Sequence, residues 1–130
     1  MYGITPSTDL SFLKGKTLCQ VAFGPHDLQL GFCEGARISI WSTVGYGVSD
    51  GAYILRIIGE PKQDEPARTT VLEEPAFLLS LLMKEVADVS WTAKGTLTVT
   101  FPDDLRLQIY DDSEQFESYS VEGNGQLIHV

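Results

Sequence analysis

The chain has 130 residues, 43% of them hydrophobic, and a net charge of −9 from 18 acidic and 9 basic side chains. That length and apolar share suit one domain spanning 1–130 with a sizeable core, and exclude a disordered chain, which pairs low hydrophobicity with high charge. The acidic balance argues against nucleic acid, because phosphates want a basic surface, and makes a basic protein the partner that charge would select.

Residues 1–6 hold no basic stretch running into an apolar one, so no leader is expected. No apolar run approaches the ~18 residues of a membrane span. The expectation is a cytoplasmic protein without a membrane partner. From Cys19 to Trp41, Val21 and Phe23 alternate with polar or small neighbours, and the turn-forming cluster Gly24-Pro25-His26-Asp27 follows. Leu28, Leu30 and Phe32 alternate next, then Cys33-Glu34-Gly35 makes a turn, then Ile38 and Ile40 alternate again. Period-two alternation broken by turn residues predicts antiparallel strands with one buried face. A three-residue loop would pair Leu30 with Ile38 and Leu28 with Ile40, with Gly35 at the positive φ of the turn.

Residues 42–51 hold Gly45, Gly47 and Gly51 around Tyr46 and read as a flexible aromatic loop or an irregular strand. Residues 53–58 are rich in β-formers and predict a strand; 60–68, with Pro61 and Pro66, predict an exposed loop. Pro75 suits a first helical turn, Glu73 and Glu74 favour its positive end, and Phe77, Leu78, Leu81 and Leu82 make an apolar stripe. Together they predict one main helix over 74–85.

The pattern of the first block then returns. Val89 and Trp91, Leu97 with Val99 and Phe101, and Leu105 with Leu107 and Ile109 alternate around turns at Ala93-Lys94-Gly95 and Pro102-Asp103-Asp104. A shift of 69 residues carries Leu28, Leu30 and Phe32 onto Leu97, Val99 and Phe101, and Arg37, Ile38, Ile40 and Trp41 onto Arg106, Leu107, Ile109 and Tyr110. The chain therefore predicts an internal repeat, about 19–41 and 87–110. At the end, Gly123-Asn124-Gly125 separates two short apolar runs, a strong hairpin signal.

Few residues carry chemistry. Cys19 and Cys33 lack a CxxC spacing; Cys19 shares parity with Val21 and is expected in the core, Cys33 starts a turn, and both are expected as unpaired thiols. His26 and His129 show no zinc spacing, and no phosphate loop or nucleophile elbow occurs. The distinctive feature is acidic: Asp103, Asp104, Asp111, Asp112, Glu114, Glu117 and Glu122 are opposed locally by Arg106 alone. Such a cluster fits a solvated edge, an electrostatic docking face, or a cation or acid–base site. Trp41 and Tyr110 hold equivalent places, Tyr46, Phe116 and Tyr119 flank the same strand ends, and these aromatics fit an interface or a second buried face.

The Gly95-Thr96-Leu97 strand, the Pro102-Asp103-Asp104 turn and the later Phe116-Glu117-Ser118-Tyr119 form a recurrent pattern. It resembles small uncharacterised bacterial β-rich proteins often encoded beside toxins or other small open reading frames, in which a Gly-x-Leu strand, an Asp-Gly turn and a Tyr-Glu-Ser motif close the chain. Asp104 stands in place of the turn glycine and Phe116 in place of the tyrosine. The resemblance covers the C-terminal third and, more loosely, the first meander. It implies a domain without assigned activity, some of whose relatives are regarded as toxin-immunity proteins, and it carries over no catalytic residue.

The expected fold is α+β, mostly antiparallel β: two related three-stranded β-meanders in a bent sheet or partly open barrel, wrapped around the helix over 74–85. Two functions stand open. One is a non-enzymatic protein-binding module, an immunity-type neutraliser of a basic bacterial toxin, with Asp111, Asp112, Glu114, Glu117, Tyr110, Trp41 and Tyr46 as the partner-binding residues. The other is a small-molecule or metal-binding domain, an enzyme included, with a cavity between the meanders and the helix. A homodimer burying the exposed face is a third arrangement. No catalytic, cofactor-binding or metal residue is singled out.

Overall fold

The computed structural model describes residues 3–48, 53–56 and 78–130; for Val48 and 53–56 it describes the backbone. Among the described residues there are ten strands: β1 (Leu18–Phe23), β2 (Leu28–Phe32), β3 (Arg37–Ile40), β4 (Thr43–Val48), β5 (Tyr53–Arg56), β6 (Asp88–Trp91), β7 (Leu97–Thr100), β8 (Leu105–Ile109), β9 (Tyr119–Gly123) and β10 (Gln126–His129). They form two five-stranded antiparallel sheets, ordered β1-β2-β3-β9-β10 and β5-β4-β8-β7-β6.

Each meander has the register its turns dictate. Leu28 faces Ile40 and Leu30 faces Ile38 in the first, while Leu97 faces Ile109 and Val99 faces Leu107 in the second. Gly35 and Gly95 take positive φ of 84° and 97°, which glycine reaches without a Cβ clash. At the turn between β7 and β8 Asp103 and Asp104 both adopt positive φ, a conformation Asp tolerates better than most residues. The paired apolar residues share one buried face, and both sheets contribute to one core that includes Leu10 and Leu13 of the N-terminal segment.

The sheets are completed crosswise. The β4–β5 hairpin, which follows the first meander, pairs with β8 of the second. The β9–β10 hairpin, which follows the second meander, pairs with β3 of the first. Asn124 and Gly125 close β9–β10 with φ of 51° and 72°, the doubly positive turn that matches strand twist. The glycine-rich stretch around Tyr46 is thus a strand. Its register matches that of β9, since Val44 faces Ile109 as Tyr119 faces Ile40.

The α+β reading needs correction. The described strands make two separate sheets, neither one bent sheet nor a barrel, and among the described residues of the expected 74–85 helix only Leu78 and Leu79 are helical, with turns and extended backbone after them, so a main helix over that span is not supported. Its start, with Glu74, Pro75 and Phe77, lies outside the described residues. From Leu78 onward the backbone makes three-residue turns, Leu81 N–H to Leu78 O and Lys84 N–H to Leu81 O. Met83 turns to φ 65°. The cause is competition by β1: Met83 N–H donates to Leu18 O and Leu18 N–H to Lys84 O, so a strand edge takes the groups a helix would use. Leu78 and Leu81 are still buried, because one turn is enough to bring both onto the core. Of the strand expected over 53–58, Tyr53–Arg56 is formed; the loop expected over 60–68 lies outside the described residues.

Candidate functional site: the two crossings between sheets

The chain passes from one sheet to the other at residues 41–42, between β3 and β4, and at 110–118, between β8 and β9. The two crossings lie side by side. Trp41 N–H donates to Ser118 O at 2.9 Å, the Ser42 hydroxyl to Tyr110 O at 2.7 Å, and Tyr110 N–H to Thr43 O at 3.1 Å. This brings together most of the residues singled out for partner binding, but in different roles.

Asp111 is buried, 8% exposed. Its carboxylate accepts hydrogen bonds from Gly3 N–H and the Ser118 hydroxyl, each at 2.7 Å. It continues the parity of Leu107 and Ile109, so the strand register aims it inward. Beneath it, the buried Tyr119 hydroxyl donates to Gly95 O at 2.7 Å. Burial, and secondly the Asp111 charge, hold the Tyr119 phenol well above the usual tyrosine range. Asp111 thus ties the N-terminal segment to the second crossing and is no surface group. Tyr46 is likewise 3% exposed and part of the core; it fills the inner face of β4 opposite Leu107.

The remaining residues are at the surface. Asp112 accepts from both the Thr43 N–H and the Thr43 hydroxyl, fixing the start of β4. Glu114 is exposed. Glu117 Oε2 lies 2.9 Å from His129 Nδ1 on β10. Tyr110 is half-buried, its hydroxyl donating to Gln108 Oε1 at 2.9 Å. Trp41 is 38% and Phe116 72% exposed. Phe116 is one of the aromatics read from the sequence as flanking these strand ends, although it is not in the partner-binding set.

Two other features lie apart from the crossings. Cys19 and Cys33 are joined as a disulfide, with Cα atoms 5.4 Å apart, so the expectation of unpaired thiols fails. A register shift between Leu18 and Gln20 is the reason: it leaves Leu18 in the core and turns Cys19 to solvent. Beside it, a shallow depression of about 260 Å³ is lined by Cys19, Gln20, Gly31, Arg37 and Glu122 among others. It sits on the outer face of the first sheet, away from the space between meanders and helix where a cavity was expected. Among the described residues, no group of three or more His, Cys, Asp or Glu side chains is arranged to hold a metal ion, and no helix is long and apolar enough to cross a membrane.

A family profile described as a family of unknown function (DUF6188) matches residues 10–130. The chain belongs to this family. DUF6188 membership spans both meanders and both crossings, so the whole arrangement above lies within the family's domain. No curated protein and no solved structure gives a significant match.

Proposed function

We propose that this DUF6188 protein is a non-enzymatic binding module that captures a basic protein through its paired crossings. The observation that carries the reading is the exposure of Trp41 and Phe116 on the same crossings that carry Asp112, Glu114 and Glu117. Large aromatic rings left in water beside acids combine the apolar anchor and the charge selection that protein interfaces use. In its narrower form the partner is a basic bacterial toxin and the module its immunity-type neutraliser. The meeting place is taken to be the cytoplasm.

The test uses the whole chain as bait in extract of its native host, with each captured protein identified and its affinity measured at several salt concentrations. A basic partner is expected. Glu114→Lys with Glu117→Lys should weaken it at least tenfold and flatten the salt dependence, as the loss of about 1.4 kcal/mol or more of charge pairing implies. Trp41→Ala should weaken it without changing the salt slope. Affinity untouched by both variants would sink this surface as the binding site.

A further inference from the structure

We propose that the Cys19–Cys33 bond is a thiol-exchange site, entered from the neighbouring depression by low-molecular-weight thiols that carry amino-acid groups. Both cysteines are exposed, so an incoming thiolate has access. The bond closes a separation of 14 residues between segments that other contacts already hold. Cys33 N–H donates to Thr17 O at 2.9 Å, Thr17 N–H to Glu34 Oε2 at 2.9 Å, and Lys16 Nζ to Glu34 O at 3.2 Å, while Leu18 pairs with Phe32. Opening the bond therefore leaves the β1–β2 pairing in place, unlike a staple on which the fold depends.

The surroundings specify the direction of attack and the kind of thiol. Of the two cysteines, Cys19 lines the depression. Its floor and rim are one cross-strand row, Gln20–Gly31–Arg37–Glu122. Gly31 has no side chain to fill the floor. Arg37 and Glu122 face each other across β3 and β9, and Arg37 Nη1 donates to Gln29 Oε1 at 2.6 Å. A guanidinium beside a carboxylate matches the carboxylate and ammonium of an amino-acid-type thiol. The thiolate RS⁻ attacks Cys19 Sγ, the Cys19–Cys33 bond breaks, and Cys33 leaves as a thiolate. A second RS⁻ attacks the mixed disulfide to give RSSR and the Cys19 thiolate, so two thiols are oxidised and one protein disulfide is reduced.

Cys33→Ser isolates Cys19 for the reverse half-reaction, in which its thiolate takes one RS group from RSSR and releases RS⁻. Mass spectrometry should show one glutathione added at Cys19 from glutathione disulfide. Adding Arg37→Ala should slow that reaction about three- to tenfold, the scale of a local charge effect on encounter. The rate with the uncharged hydroxyethyl disulfide should not change. Equal slowing with both reagents, or none with either, overturns the charge-matched entry. Cys19→Ser, which leaves Cys33, should react more slowly than Cys33→Ser; equal rates overturn the assignment of Cys19. Reduced wild-type protein should keep a cooperative melting transition, and its loss would make the bond a staple and defeat the proposal.

Discussion

Ile40 and Ile109 end strands of identical register, yet the chain leaves them differently. After Ile40 two residues, Trp41 and Ser42, reach the other sheet; after Ile109 the path runs through 110–118. The hairpins beyond still dock in matching register, Val44 on Ile109 and Tyr119 on Ile40. The added length therefore did not disturb the sheets. It is spent on the surface, where it carries Asp112, Glu114, Phe116 and Glu117. A long excursion must also be tied down, because each free residue adds conformational entropy that order has to offset. Asp111, Asp112, Ser113 and Ser118 do this through their bonds to Gly3, Thr43 and one another. The short crossing is held by the Ser42–Tyr110 and Trp41–Ser118 bonds. Variation confined to one crossing gives a symmetric frame an asymmetric surface.

If the long crossing depends on its buried clasp, the largest loss should come from Asp111→Ala. It strips Gly3 N–H and the Ser118 hydroxyl of their acceptor in a buried site, and should cost about 3 kcal/mol in urea unfolding. Next comes Gly95→Ala, whose added Cβ would lie 2.5 Å from Asp111 Cβ at a φ of +97°. We expect about 2 kcal/mol there, against about 1 kcal/mol for Gly35→Ala, where φ is also positive but no atom lies within 4 Å. Equal losses at the two glycines would mean that the Gly95 turn does not press on the Asp111 clasp. Tyr119→Phe removes the hydrogen bond to Gly95 O and should cost about 1 kcal/mol at neutral pH. Ser42→Ala, at the short crossing, should cost about 1 kcal/mol or less.

Tyr119 also sharpens the comparison through pH. Its phenol is raised in the folded state relative to the unfolded value near 10. Below that value both states hold the proton and the full stability is present. Above it the unfolded chain releases the proton while the folded chain retains it, so stability falls as pH rises from about 10. Urea midpoints between pH 8 and 11 should decline more steeply in the wild type than in Tyr119→Phe. Parallel declines would mean that this phenol is not held protonated.

The meanders were legible in the sequence because their pairing is local: alternation and turn length set which residues meet. The crosswise hairpins were not, since nothing near Val44 or Tyr119 records that the partner strand is β8 or β3. Tyr46 was misplaced because Gly45 and Gly47 hid an alternation with Val44. Asp111 was read with its acidic neighbours, although it stands at the core parity of Ile109, and that parity was the available signal. Cys19 followed the wrong parity because a bulge resets it. The apolar stripe of Leu78 and Leu81 marked burial correctly but not a helix, because capture of Met83 and Lys84 by β1 is a tertiary event that periodicity does not register.

The crosswise hairpins carry a consequence for biosynthesis. When β4 and β5 leave the ribosome, the strand that will flank β4 in the finished sheet, β8, has not yet been made. The nascent β4 edge must wait through some fifty residues of further translation. β3 waits longer, until β9 arrives near the end of the chain. Neither half can complete a sheet as it is synthesised, so the molecule matures late and all at once, and the interval before closure is when its open edges are most exposed to the wrong neighbour.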